Sequence, residues 1–331
     1  MGREVRAQEV VAPPARTAIF LVLRVRPGAE KPVRAVLADV AALIRSVGFR
    51  APDEELSCVV GIGAAAWDRL YRLPRPAGLH PFRTVTGARH TAVATPGDLL
   101  FHLRARRVDI CFELARRLLA RLGGHVEVVD EVHGFRYLGQ RDLLGFVDGA
   151  DNPDGPGAVA AVTVGAEDPS YAGGSYVVVQ KYLHDLDAWQ ALPVAEQERA
   201  MGRTKLDNIE LPEAVQATNS HATRRAIVRE NMVFGTLGAR EFGTYSAAYA
   251  ATSDVIERVL RNSFVGDPPG HHDRILDFST AVTGTLFFVP AADFLEDPPS
   301  TAAPAAAMTH PGRSSSTDGS LGIGSLRRSR T

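Results

Sequence analysis

Two cysteines in 331 residues, Cys58 and Cys111, stand far apart and outside any CxxC or CxxCH pattern. That excludes a Cys-rich metal site, covalent attachment of a cofactor through paired cysteines, and a disulfide framework. The scarcity suits a reducing cytoplasm. An excess of charge of one sign is also lacking: the formal net charge is −1, and Lys and Arg gather into no stripe. There is accordingly no electrostatic case for nucleic acid or an anionic membrane. No run approaches the roughly 18 uninterrupted apolar residues of a membrane span. The start, Met1-Gly-Arg-Glu-Val-Arg6, carries charge with no apolar run or small-residue cleavage site behind it, so no cleaved secretion signal is expected. What is present, 45% apolar and 23% charged residues, is the composition of a soluble globular protein long enough for two domains.

Thr17–Val25 predicts a strand ended by Pro27-Gly28. Residues 30–47 repeat Val33, Val36, Leu37, Val40, Leu43 and Ile44 at helical spacing and stop before Gly48. A strand over 56–62, a short helix over 64–72 and a Pro- and Gly-rich loop over 73–97 follow. Next come a strand over 98–103, a helix over 108–122 closed by Gly123-Gly124, and a strand over 125–137. Setting the short helix aside, the order is βαββαβ. The second half predicts strands over 175–182, 226–234, 242–250 and 283–290, with helices over 187–201 and 253–263. Two such units make an α+β chain of two ferredoxin-like βαββαβ domains, over 17–145 and 146–292, behind a flexible N-terminus at 1–16. Residues 293–317 are rich in Pro, Ala, Ser and Thr and are expected to form a disordered linker. The final stretch, 318–331, breaks that composition with Leu321, Ile323 and Leu326, apolar residues with nothing of their own to pack against.

Gly145-Phe-Val-Asp-Gly-Ala-Asp-Asn-Pro-Asp-Gly155 concentrates three aspartates. An EF-hand-like count puts Ala150 first and Ala161 twelfth, both non-ligands, so calcium is excluded. Two readings stand: a turn-rich connector with Asp and Asn capping backbone amides, or a loop anchored by Phe146 and Val147 that holds Asp148 in a partly dry cavity, where its pKa rises. His221 is a lone histidine, a type more often a hydrogen-bonding residue than a ligand. In Val228-Arg-Glu-Asn-Met-Val233, strand alternation puts Arg229 and Asn231 on one face. That face is either solvated or aims a cation and an amide into a pocket. His271, His272 and Asp273 adjoin, but neighbours on extended chain point to opposite sides, so zinc is not expected on that trio.

Taken in order, Gly145-Phe-Val-Asp-Gly149, Asn219-Ser-His221, Ile227-Val-Arg-Glu-Asn-Met232, Phe242-Gly-Thr-Tyr245 and Asp273-Arg-Ile-Leu-Asp-Phe-Ser279 resemble the dye-decolourising peroxidase family in its compact bacterial branch. The resemblance spans about Thr17 to Pro290. It implies two ferredoxin-like domains with haem b, one per subunit, bound mainly by the second. It implies His221 as the proximal iron ligand, oriented by Asp273, with Asp277 as the alternative. Asp148, Arg229 and Asn231 are implied on the opposite side, Asp148 shuttling a proton and Arg229 stabilising developing charge. Arg229 stays protonated and is no base. Arg203 is implied at a haem propionate. Here the loop after the Asp-Gly pair reads Ala150-Asp-Asn-Pro153 where the family has Thr-Glu-Asn-Pro, and the segment from His221 to Arg229 is shorter than in some relatives.

Residues 318–327 resemble the peptide that docks such peroxidases inside encapsulin shells. Leu321, Ile323 and Leu326 would enter shell pockets, and the linker would supply reach. The expected function is therefore a homo-oligomeric, cytoplasmic, encapsulin-packaged enzyme. It would reduce hydrogen peroxide and oxidise dyes, phenols or other one-electron donors. The competing readings are a haem-binding or iron-releasing protein with incidental peroxidase activity, and a haem-free scaffold. Trp67, Trp189, Tyr171 and Tyr249 are candidate electron relays, although such aromatics usually serve as core packing.

Overall fold

The computed structural model describes residues 5–13, 15–212 and 226–299. His221 and the whole of 318–331, with Leu321, Ile323 and Leu326, lie outside these residues. The strands are β1 (Thr17–Val25), β2 (Ser57–Gly63), β3 (Val85–Thr86), β4 (Thr91–Ala92), β5 (Leu99–Ala105) and β6 (Val126–Phe135), then β7 (Ser175–His184), β8 (Val228–Thr236), β9 (Glu241–Ala250), β10 (Ser279–Ala281) and β11 (Thr285–Val289). The helices are α1 (Glu30–Gly48), α2 (Ala64–Tyr71), α3 (Val108–Leu122), α4 (Gly155–Val162), α5 (Leu186–Gln190), α6 (Val194–Met201), α7 (Ser253–Phe264) and α8 (Ala292–Glu296).

Each half has the strand order of a ferredoxin-like sheet, β2-β5-β1-β6 in the first and β11-β7-β9-β8 in the second. All the pairings are antiparallel. The halves are also joined at both edges, through Phe135↔Val233 and through Phe287↔Gly63 and Phe288↔Ile62. The strands therefore close on themselves, which leaves no long unpaired edge. One face of each sheet turns to the other, and Phe20, Val22, Leu100, Val177, Phe234, Tyr249 and Phe287 share one buried cluster. The opposite face of the first sheet, Ile19, Leu21, Leu23, Val60, Phe101 and Leu103, packs under the apolar stripes of α1 and α3.

Four expectations change. The helix expected over 187–201 is two helices, because Pro193 carries no N–H to continue the ladder. The expected last strand is β11, and a further short strand, β10, precedes it. The N-terminus expected to be flexible is tied down over 5–13. Gln8 Nε2 donates to Val60 O at 3.0 Å and Gln8 Oε1 accepts from Val60 N at 2.8 Å. Buried Arg104 donates to the carbonyls of Glu9 and Val10, satisfying a cation that has Glu230 3.6 Å away. The linker also begins later than residue 293, since Leu295 is buried and Phe294 stacks on Trp67 at 5.1 Å.

Gly243 pairs with Leu183 across β7 and β9, and a Cβ there would lie 1.9 Å from Tyr182 O. Gly243→Ala is expected to cost about 1–3 kcal/mol through forced separation of the strands. Gly238→Ala, where a Cβ meets nothing within 4 Å, should stay within about 0.5 kcal/mol. Urea unfolding of the two variants checks this.

Candidate active site

Where the first sheet meets aliphatic residues, the second turns out a polar row. Alternation along β7 sends Val178, Gln180, Tyr182 and His184 to one side, with Arg229 and Asn231 of β8 and Thr244, Ser246 and Ala248 of β9. Opposite them stand Ile256, Val259, Leu260 and Phe264 of α7, and Asp273 and Leu276 beyond it. Together they enclose a cavity of about 220 Å³. A second cavity of about 120 Å³ shares Asp142, Arg229, Asn231 and Thr244 with the first and adds Asp148, Asn152, Arg136 and Arg141.

The acidic loop reaches these cavities because its start is anchored. Phe146 is buried and meets Trp189 edge-on at 6.1 Å. Gly149, at φ +71°, takes the left-handed turn that carries the chain away immediately after Asp148. Asn152 then fixes the loop to β8, its Nδ2 donating to Arg229 O at 2.8 Å and its Oδ1 accepting from Arg229 N at 2.9 Å. Asp148 Oδ1 accepts from Asn231 Nδ2 at 2.8 Å. Burial pushes the Asp148 carboxyl up, and the bonds from Asn231 and the Gly149 backbone, with the charges of Arg229 and Arg136, offset this only in part. Asn231 Oδ1 is buried with no partner among the described residues, an unused acceptor beside the ionisable acid.

Sequence reasoning missed three residues. Asn152 was read only as a turn former. Asp142 lines both cavities, and burial pushes its carboxyl to about 6 against the backbone amides it accepts from. His184 lines the larger cavity with both nitrogens engaged, Nδ1 with Ser279 Oγ at 2.8 Å and Nε2 with Thr244 Oγ1 at 2.9 Å. Burial lowers its pKa to about 4. The alternation that placed Arg229 and Asn231 would have placed His184, four residues after Gln180.

The expected residues divide. Asp148, Arg229 and Asn231 meet at the shared wall. Asp273 lines the larger cavity, is 4% exposed and accepts from Ser263 Oγ at 2.7 Å. Asp277 is turned away toward His90, His272 and Arg274. Arg203 lines neither cavity and donates to Asp151 Oδ1 and Asn208 Oδ1, both at 2.9 Å. Trp67 and Trp189 are fully buried, and each donates its indole N–H to a backbone carbonyl.

A mostly apolar cavity that shares a guanidinium and an amide with a smaller cavity holding a part-buried acid suits an enzyme that holds a prosthetic group and moves protons beside it. Residues 7–136 match the family model described as Dyp-type peroxidase, N-terminal, and residues 139–294 the one described as Dyp-type peroxidase, C-terminal. The chain belongs to the Dyp-type peroxidase family. It is 55% identical over 333 residues to a dye-decolorizing peroxidase of Mycolicibacterium paratuberculosis, covering 98% of this chain and 93% of that one. The encapsulated DyP-type peroxidase of Mycobacterium smegmatis superposes with a TM-score of 0.85 at 54% identity, covering 89% of this chain and 98% of that one. A Rhodococcus jostii DypB variant solved in complex with heme superposes with a TM-score of 0.84 at 48% identity, over 88% of this chain and 97% of that one.

Two measurements follow. Asn152→Ala removes both bonds to Arg229, so exchange of the Arg229 amide hydrogen should accelerate, by an amount equivalent to about 1–3 kcal/mol. The unfolded His184 takes up a proton near 6.5, the folded one only near 4. Its contribution therefore lowers stability as pH falls through that window. Asp142 acts oppositely, because the folded carboxyl keeps its proton up to about 6. Urea unfolding across this window should show a shallower gain of stability with rising pH in His184→Asn than in the parent protein.

Proposed function

We propose that the chain is a haem-dependent peroxidase that reduces hydrogen peroxide and oxidises dyes, phenols or other one-electron donors. The observation that carries this reading is the Asp148–Asn231 bond of 2.8 Å, made in a part-buried setting beside Arg229. The residues fit haem b. The larger cavity offers apolar α7 side chains to a flat macrocycle, and on its polar wall Asn231 Oδ1 and Gln180 Nε2 are buried with no partner among the described residues. His184, whose two nitrogens are both held by hydroxyls, is poorly placed to ligate iron, which supports His221 as the proximal ligand. Asp273, on the cavity wall, is the carboxylate assigned to orient that imidazole and make it more electron-rich. Arg203 is assigned to a propionate, for which it would exchange Asp151. Haem, when bound, supplies the redox-active iron at which the peroxide O–O bond is cleaved.

The protein's own part is proton and charge management. Asp148, held above the usual carboxylate range by burial, takes a proton from one peroxide oxygen and returns it to the departing oxygen, which leaves as water. Arg229 stabilises the negative charge that builds on the departing oxygen. Asn231 orients Asp148 through Nδ2 and keeps Oδ1 for a peroxide hydrogen. The assembly reading is that residues 318–331 dock a homo-oligomer inside a cytoplasmic encapsulin shell through Leu321, Ile323 and Leu326. The encapsulated Mycobacterium smegmatis relative supports it.

Stopped-flow absorbance of the haem band after mixing with peroxide tests the site. Asp148→Asn is expected to slow the reaction by roughly 10²–10⁴-fold and Arg229→Leu by roughly 10²–10³-fold, and unchanged rates in both contradict the assignment. Deletion of 318–331 should leave turnover intact and abolish co-purification with a co-expressed shell protein. Loading that survives the deletion contradicts the docking role.

A further inference from the structure

Away from that site, three side chains from separate stretches meet at one carboxylate oxygen. His90 lies in the connection between β3 and β4, His272 precedes the 3-10 turn Arg274–Asp277, and Asp277 ends it. His90 Nε2 is 2.9 Å and His272 Nε2 3.0 Å from the same atom, Asp277 Oδ1. The three potential ligand atoms all lie within 4.8 Å of one another. The side chains of His90, His272 and Asp277 are 23%, 9% and 16% exposed, so the cluster is shielded yet reachable.

Two neutral imidazoles can satisfy this carboxylate, but both then spend their Nε2 hydrogen on a single oxygen. Each could donate to Oδ1 only by carrying its proton on Nε2, and the two rings approach to 4.7 Å between centroids. Full protonation of both would set two cations against one shared anion. In the other tautomer, with the proton on Nδ1, both Nε2 atoms offer lone pairs, and a divalent cation would accept these together with one from a carboxylate oxygen. The second oxygen, Oδ2, already accepts from Arg274 Nε at 2.8 Å, the kind of outer partner that fixes a ligating carboxylate. Burial pushes the Asp277 carboxyl up, but hydrogen bonds from His272, His90 and Arg274 outweigh it and hold it at about 2. It is therefore ionised at neutral pH. The backbone is also set in advance: a Cβ on Gly87 would lie 1.9 Å from Phe264 O, so the hairpin sits hard against the end of α7. One feature opposes a cation. Arg89 NH1 is 3.9 Å from Oδ1, but that side chain is 69% exposed and can swing into water.

We propose that His90, His272 and Asp277 form a binding site for a first-row divalent cation of the zinc class. Two imidazole nitrogens and one carboxylate oxygen suit zinc, with water completing a four-coordinate shell. The sequence argument against zinc concerned His271, His272 and Asp273, which adjoin along the chain. Here His272 finds its partners across the fold. Bound metal would staple the β3–β4 hairpin to the turn that bears Asp273, linking the loop of the first half to the wall of the haem cavity.

The test uses the untagged, haem-loaded protein, treated with a chelator, desalted and titrated with zinc(II) by isothermal calorimetry. Metal content after a second desalting is read by plasma mass spectrometry. One zinc per chain beyond the haem iron is expected. Loss of partners outside a ligand shell already costs roughly 10–100-fold in affinity. His90→Ala and His272→Ala, each checked for fold by circular dichroism, should therefore weaken binding by about 100-fold or more. His90→Gln serves if His90→Ala does not fold, and should lose zinc likewise. No zinc uptake by the parent protein, or uptake unchanged in the folded histidine variants, overturns the proposal.

Discussion

A carboxylate buried with few partners holds its proton more firmly than one in water, and three separate pieces of chain put Asp148 in that condition. Phe146 anchors the start of its loop in a small core with Trp189. Asn152 ties the loop's far end to the backbone of β8, and Asn231, two residues along that strand, donates its side-chain N–H to the carboxylate. Loosening any of the three would admit water and bring the Asp148 carboxyl back down toward the ordinary aspartate range. The spacing of Arg229 and Asn231 by two residues matters for the same reason, since it puts cation, amide and acid on one wall.

The two halves show what separates a structural sheet from a functional one when the topology is the same. Both have the ferredoxin-like strand order, and both place helices over the sheet face that points away from the other half. In the first half that face is Ile19, Leu21, Leu23, Phe101 and Leu103, and α1 and α3 pack on it in one buried apolar cluster. In the second, Gln180, Tyr182, His184, Arg229 and Asn231 occupy the face, and α7 spans a cavity. Polar side chains on a buried face need partners. Where these residues find them only among themselves, as His184 does with Ser279 and Thr244, the space beyond stays open for a ligand.

Much of this was legible in the residues. Strand alternation paired Arg229 with Asn231, and the βαββαβ order came from apolar periodicity alone. The anchored Phe146 pointed to a partly dry position for Asp148, where burial raises its carboxyl. Other features depend on contacts that no local pattern carries. Closure of the two sheets rests on joins of one or two residue pairs, Phe135↔Val233 and Phe287↔Gly63 with Phe288↔Ile62. Helix α4 starts at Gly155-Pro156-Gly157, which reads as a breaker, and tertiary burial of Ala158 and Val162 overrides that preference. The lead-in was misjudged because its role is to satisfy Arg104 and Val60, which lie far along the chain. Asp142 and His184 escaped notice because a lone acid or histidine has no signature until its burial is known.

The family and the fold place a prosthetic group in the second half, and the account requires a single imidazole to hold its iron. His221→Ala, purified from haem-supplemented cells, tests this through its absorption spectrum and iron content against those of the parent protein. The account predicts a diminished, displaced Soret band, with iron lost on desalting. A variant with the parent's Soret band, iron content and peroxide turnover would contradict it.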